Sequence, residues 1–275
     1  MAIDKETIRE FARGLGATLV GFAPAARWDE YGEVEAPYRP AAIWPETKSV
    51  VVLGVPVLLP ILESTPSINY VELYDTTNIL LDQMAYRLAV FLTEHGHGAI
   101  FLPRDAYGDI GVLVRKPAAA FSHVFAGKYA GLGTVGYSHV LLNARYGPRV
   151  RYVSVFTSLE LAPDEVIRQE LCTKCRLCQR LCPSQAFTTR EDRLVADMDK
   201  KRCAEHHAVL REEHRYPCGI CIKVCPVGED RKIFNSNDVR LYIDEKDAIL
   251  ADRDDPRYAR WVHLRRHGSN GDRLF

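Results

Sequence analysis

Ile8, Phe11 and Leu15 recur at helical spacing behind Asp4 and predict an N-terminal helix that Gly14 and Gly16 close. The short apolar run over 18–23 then reads as a strand. Pro37, Pro40 and Pro45 break any period across 28–47, so an irregular connection is predicted there. Residues 49–55 form a β-branched run suited to a buried strand, followed by a loop. Leu80, Met84, Leu88 and Phe91 share one face of a long helix, with Asp75, Thr76 and Thr77 as candidate caps and Gly96 and Gly98 at its close. Residues 99–102 and 149–156 predict two further strands. The pattern predicts an α/β unit over 1–165, a small cysteine-bearing unit over 166–235 and a C-terminal tail over 236–275 that packs on both. In that tail the acidic runs 244–247 and 252–255 read as solvated surface, with Trp261 and Leu264 as anchors.

Composition narrows the function classes. A chain of 275 residues that is 47% hydrophobic can bury one large core and a smaller one. Lys+Arg and Asp+Glu are both 36, and zero net charge argues against nucleic-acid binding through bulk electrostatics. The longest apolar stretch, 49–62, is punctuated by Gly54, Pro56 and Pro60 and falls short of the roughly 18 residues a membrane span needs. Asp4, Lys5, Glu6, Arg9 and Glu10 interrupt any signal-peptide pattern, which predicts a cytoplasmic protein with reduced thiols.

All eight cysteines lie between Cys172 and Cys225. They read Cys172-x2-Cys175-x2-Cys178-x3-Cys182-Pro183, then Cys203, then Cys218-x2-Cys221-x3-Cys225-Pro226. Three thiolates on one tight loop can hold three corners of a 4Fe–4S cubane, while the next cysteine is carried away to a neighbouring cluster. The sharing rule predicts one cluster on Cys172, Cys175, Cys178 and Cys225, and another on Cys182, Cys203, Cys218 and Cys221. Structural zinc is the common use of paired C-x2-C elements, but it explains neither the third cysteine at the same spacing nor the prolines.

The segment Ala130-Gly-Leu-Gly-Thr-Val-Gly-Tyr-Ser-His-Val-Leu-Leu-Asn143, continued through 145–157, resembles a stretch shared by epoxyqueuosine reductases and reductive dehalogenases. In both families it lies just ahead of a two-cluster motif. With the cysteines and the basic pair Lys201-Arg202, the likeness covers roughly 99–227. It implies a cobalamin-dependent iron–sulfur protein: a nitroreductase-like α/β domain holding a base-off corrinoid, beside a bacterial ferredoxin-like domain with two 4Fe–4S clusters. The chain resembles a short branch of the family, without a helical-repeat extension after Phe275 and without a twin-arginine leader. On this resemblance Gly131, Gly133 and Gly136 would let backbone approach a flat macrocycle. Tyr137, Ser138, His139 and Asn143 would be the adjacent polar groups, with His139 hydrogen-bonded rather than bound to cobalt.

One departure bears on chemistry. Full-length epoxyqueuosine reductases carry an acidic residue in an Asp-Ser-Ala-Pro segment ahead of the glycine turn, whereas 115–124 here holds no carboxylate. Reductive cleavage needs a proton. His123 is the first candidate to supply it, because histidine titrates near neutrality, followed by Tyr129, Asp105, Tyr107 and Asp109. The leading expectation is a reductase of a small-molecule or nucleoside-like substrate, fed by an external low-potential donor such as ferredoxin or flavodoxin. The alternative is a redox partner that delivers electrons to a corrinoid protein without substrate chemistry of its own.

Overall fold

The computed structural model describes residues 3–190, 195–270 and 274; Phe275 lies outside the described residues. Helix α1 (Lys5–Gly14) starts where Asp4 accepts the Thr7 amide at 2.8 Å. Strand β1 (Leu19–Pro24) follows. The proline-broken connection holds two short helices, α2 (Arg27–Tyr31) and α3 (Pro40–Ile43), the latter using Pro40 as its first residue. After β2 (Ser49–Pro56) the predicted loop contains a single turn, α4 (Leu59–Leu62).

Helix α5 (Ile68–Glu94) begins at Ser67 and not at the Asp75 to Thr77 group. The extra turns form because Tyr70 packs with Val57, Leu59 and Leu62 in a small apolar cluster at the helix start. Then come β3 (Ala99–Leu102), α6 (Ile110–Arg115), α7 (His123–Tyr129), the two-residue strands β4 (Thr134–Val135) and β5 (Leu141–Leu142), and β6 (Val150–Thr157).

The main sheet runs β1-β2-β6-β3, with every neighbouring pair antiparallel. Side chains alternate across it. Val51, Leu53, Val55, Val153 and Val155 meet α1 and α5 on one face. Val50, Val52, Tyr152 and Phe156 meet Trp28, Phe121, Ala126 and Tyr129 on the other. Helices cover both faces, so the central strands are mostly apolar despite being antiparallel, with Arg151 and Ser154 the polar interruptions inside β6.

The cysteine region carries α8 (Leu177–Arg180), β7 (Phe187–Thr188), β8 (Asp197–Met198), α9 (Lys200–Glu212), α10 (Ile220–Lys223) and α11 (Asp230–Ile233). The tail is more than an anchor. Helices α12 (Arg240–Ala251) and α13 (Ala259–Arg266) build a core of Tyr242, Ile249, Tyr258, Trp261 and Val262 against Leu177 and Val224. Trp261 is buried as expected and Leu264 only half-buried. Glu245, expected at the surface within 244–247, is instead buried between Lys223, whose Nζ donates at 2.7 Å, and Arg265. Two buried cations draw the carboxylate inward, since an ionised group leaves water only when paired. The Tyr242 hydroxyl donates to Glu63 at 2.7 Å and Arg265 donates to the Ser64 carbonyl at 3.1 Å, which ties the tail to the α/β unit.

Candidate redox centre

The cysteine loop is wound tightly. Lys174, Arg176 and Gly219 all adopt left-handed backbone, with φ of 56°, 58° and 69°. Each of the last two precedes a one-turn helix, α8 or α10, that carries Cys178 or Cys221. Two groups of thiols result. Cys178 is surrounded by Cys225, Cys175 and Cys172, whose charges push its pKa up after burial does, to about 11. Cys203 faces Cys182, and Cys218 faces both, with burial the leading cause that lifts these two thiols to about 11 and about 12. Cys221 has Cys218, Cys203, Cys178 and Cys182 around it. The grouping runs along the two sets expected from spacing, with Cys221 also feeling Cys178 of the first set, and the chemistry of the thiols would suit two cubanes. At Cys178, Cys203, Cys218, Cys221 and Cys225 burial disfavours the bare thiolate, a cost that iron at the centre would offset. Among the described residues no three His, Cys, Asp or Glu side chains converge as one bare ion requires.

The strand-end arginine Arg149 clamps the first set. It is fully buried, pairs with Asp230 at 2.5 and 2.7 Å, and donates to the carbonyls of Ile222, Cys225 and Val227 at 3.2, 3.1 and 2.5 Å. Arg231 adds a 2.7 Å bond to the Cys225 carbonyl. Two guanidinium groups therefore fix the loop that delivers the last thiol. Sequence reasoning missed both arginines; the signal for Arg149 was a charged residue at the head of a mostly apolar strand.

The glycine segment serves this set. Gly136, Tyr137 and Ser138 line a small space shared with Cys172, Cys175, Cys178 and Cys225, and Ser138 hydrogen-bonds Cys178. The Tyr137 hydroxyl donates to Gln179 at 2.8 Å. Gly131 and Gly133 do not offer the open backbone expected for a macrocycle. A Cβ at Gly133 would sit 2.0 Å from the Leu142 carbonyl, and one at Gly131 would sit 2.3 Å from the Glu165 carbonyl, so protein already fills that space. Asn143 is likewise committed, donating to the Leu132 carbonyl at 2.9 Å and accepting from the Arg145 amide at 3.0 Å.

A cleft of about 650 Å³ lies between the α/β unit and α9. Phe121, Leu113 and Phe125 form apolar wall on one side, and Cys203, Ala204 and His207 close the other. His139 also lines it, with Nε2 2.6 Å from the Ala196 carbonyl and its pKa lowered by burial. An apolar cleft with a cluster thiol in its wall fits a flat macrocycle beside the second set.

Tyr107 lines the same cleft and heads a row of hydroxyls: Tyr107 to Tyr216 at 2.9 Å, Tyr216 to Tyr74 at 3.2 Å, and Tyr74 donating to Asp105 at 2.9 Å. Arg151 holds Asp105 at 2.6 Å. Burial, with Tyr74 and Asp105 nearby, keeps the Tyr107 phenol protonated above its usual value.

The other proton-donor candidates are placed elsewhere. His123 stands with Nδ1 2.9 Å from the Ser154 hydroxyl and Nε2 2.8 Å from the Pro103 carbonyl. Burial pushes it down to about 4, so near neutrality it is an uncharged strut with both nitrogens in use, not an acid. Tyr129 is a core residue, packed edge-on to Trp28, and its hydroxyl donates to Glu33 at 3.0 Å. Asp109 caps α6 by accepting the Val112 amide at 3.1 Å.

Comparison with known proteins agrees with this geometry. Residues 171–229 match the 4Fe-4S dicluster domain. A tetrachloroethene reductive dehalogenase of Desulfitobacterium hafniense is 28% identical over 217 residues, covering 72% of this chain and 34% of that protein. An epoxyqueuosine reductase of Pseudomonas aeruginosa is 25% identical over 264 residues, covering 80% of this chain and 68% of the relative. A B12-dependent reductive dehalogenase superposes with a TM-score of 0.64 at 22% identity, covering 95% of this chain and 37% of the other. Epoxyqueuosine reductase from Streptococcus thermophilus gives 0.56 at 18% identity, covering 81% and 65%. The chain thus spans about a third of the length of the dehalogenases it matches. Among the described residues no helix is long and apolar enough to cross a membrane.

Proposed function

We propose that this chain, a homologue of the reductive dehalogenases and epoxyqueuosine reductases, is a cobalamin-dependent iron–sulfur reductase acting on a small substrate in the cleft beside α9. Position carries the reading: Cys203 belongs to the second thiol set and also walls the cleft. When bound, the clusters supply single electrons and the corrinoid supplies a reducible cobalt. The chain's own residues supply the rest. Arg149 and Arg231 hold the Cys225 loop, and an external low-potential donor such as ferredoxin or flavodoxin would deliver electrons to the first set.

Tyr107 is the proton donor in this reading. Tyr74 gives its hydrogen to Asp105, so Tyr216 gives to Tyr74 and Tyr107 gives to Tyr216; a substrate atom in the cleft would take the Tyr107 proton in place of the Tyr216 oxygen. Asp105, at the far end of the row, anchors the Tyr74 hydroxyl. The absence of a carboxylate in 115–124 is then no obstacle, because the acid comes from the loop after β3.

The test is anaerobic reduction of the corrinoid-loaded protein by a low-potential donor, followed by absorption. The wild type should reduce its corrinoid, and Cys203→Ser should not, while retaining the first cluster. Equal reduction rates in the two proteins would end the proposal.

A further inference from the structure

A second space, of about 470 Å³, opens on the far side of Tyr107 from the cleft, and Tyr107 and Ile110 line both. Its back wall is α5. There Asn78, 1% exposed, is part of the lining, and neither its amide nitrogen nor its amide oxygen is hydrogen-bonded among the described residues. A buried carboxamide left bare on both atoms is destabilising, so it calls for an occupant that both donates and accepts.

Charge around the space limits that occupant further. Asp105 is taken up by Arg151 and Tyr74, and Arg104 by Asp82 at 2.5 Å. Glu72, Asp75 and Asp109 then outweigh Arg211 on the rim, where His214 also lies, and burial and Glu72 raise the pKa of Asp75. An anion is disfavoured there.

We infer that this pocket binds an uncharged or cationic molecule through an amide-type edge, one donor beside one acceptor, paired with the Asn78 side chain. That edge could belong to a free substrate whose reacting end reaches Tyr107, or to one of the side-chain amides of a corrin in the adjoining cleft. The claim that the ligand is a substrate rests on the proposed reductase activity; the binding does not.

Binding is therefore measured without turnover, on the full cluster-loaded chain, with three probes: nicotinamide, nicotinate and dicyanocobinamide. Wild type is compared with Asn78→Leu and with the isosteric Asn78→Asp, and the cluster absorption of each variant reports its folding. If the edge belongs to a free molecule, nicotinamide binds at least about tenfold more tightly than nicotinate, and both variants lose it, as the loss of one to two hydrogen bonds requires. If it belongs to the corrin, nicotinamide does not bind, and both variants weaken dicyanocobinamide by a similar factor. Unchanged affinity of folded variants for both amide probes would overturn the inference and leave a bound water as the partner of Asn78. Should dicyanocobinamide bind no protein at all while nicotinamide still depends on Asn78, the corrinoid reading fails and the pocket stands.

Discussion

Replacing Arg149 by methionine removes a guanidinium that is fully buried and leaves Asp230, 2% exposed, as a charge without its partner. Breaking a buried ion pair from one side costs about 3–5 kcal/mol, because the remaining charge loses its compensation. Three carbonyls, of Ile222, Cys225 and Val227, lose a donor in the same step. Arg231 still holds the Cys225 carbonyl, so the loop is weakened and not released. Against the roughly 5–15 kcal/mol that a domain has in all, such a loss decides whether the Cys225 loop is formed when iron arrives. Anaerobic reconstitution followed by iron and sulfide analysis should therefore fall from about eight of each per chain to about four, with the first cluster missing. The urea midpoint should fall with it. Arg149→Met with Asp230→Leu should recover part of the midpoint, since no charge is then stranded. Full iron content and an unchanged midpoint in Arg149→Met would refute the clamp.

Tyr107→Phe should lower turnover of any accepted substrate by about 10²–10⁴-fold while leaving corrinoid reduction by the donor unchanged; a parallel fall in corrinoid reduction would remove Tyr107 as the acid. His123 has a folded pKa of about 4, below its ordinary value of 6.5, so the unfolded chain binds the extra proton first as pH falls. Its contribution is thus complete above about 6.5 and declines toward 4. Between pH 7.5 and 5.5 the wild type should lose stability more steeply than His123→Gln, and identical slopes in thermal melts would contradict the assignment. Gly133→Ala places a Cβ 2.0 Å from the Leu142 carbonyl and should destabilise the chain by about 1–3 kcal/mol, with poorer loading of the first cluster. Loss of corrinoid uptake alone, with normal melting, would instead return Gly133 to the macrocycle.

What the sequence made legible depended on how local the determinant was. Cysteine spacing is a local property of two loops, so the two-cluster domain over 171–229 could be read before any coordinates. The apolar run over 49–55 and the helix face at Met84, Leu88 and Phe91 are likewise local, and the strands and long helix were expected close to where they lie; Leu80, expected on that face, is exposed instead, and Leu81 beside it is the buried residue. The start of α5 was misplaced because Asp75 to Thr77 has cap chemistry, yet the segment before it is held helical by the packing of Tyr70. Glycine was ambiguous by nature: Gly133 lacks a Cβ because Leu142 occupies its place, which no local pattern distinguishes from room for a ligand. The groups that matter most to chemistry were the least visible. Arg149 meets Asp230 across 81 positions, and Tyr216 reaches Tyr74 and Tyr107 across 142 and 109. His123 was chosen for its intrinsic titration, and the surrounding burial overrode that property even against the Pro103 carbonyl, which favours the charged ring.

The central claim is that a corrinoid sits in the cleft that Cys203 walls, beside the second cluster. Electron paramagnetic resonance of cob(II)alamin added anaerobically to the cluster-loaded protein tests it most directly. The account predicts a base-off cobalt signal at stoichiometric uptake, altered when the second cluster is reduced and unaltered in Cys203→Ser. A folded protein with both clusters that leaves cob(II)alamin in its free, base-on form at every practical concentration would contradict it.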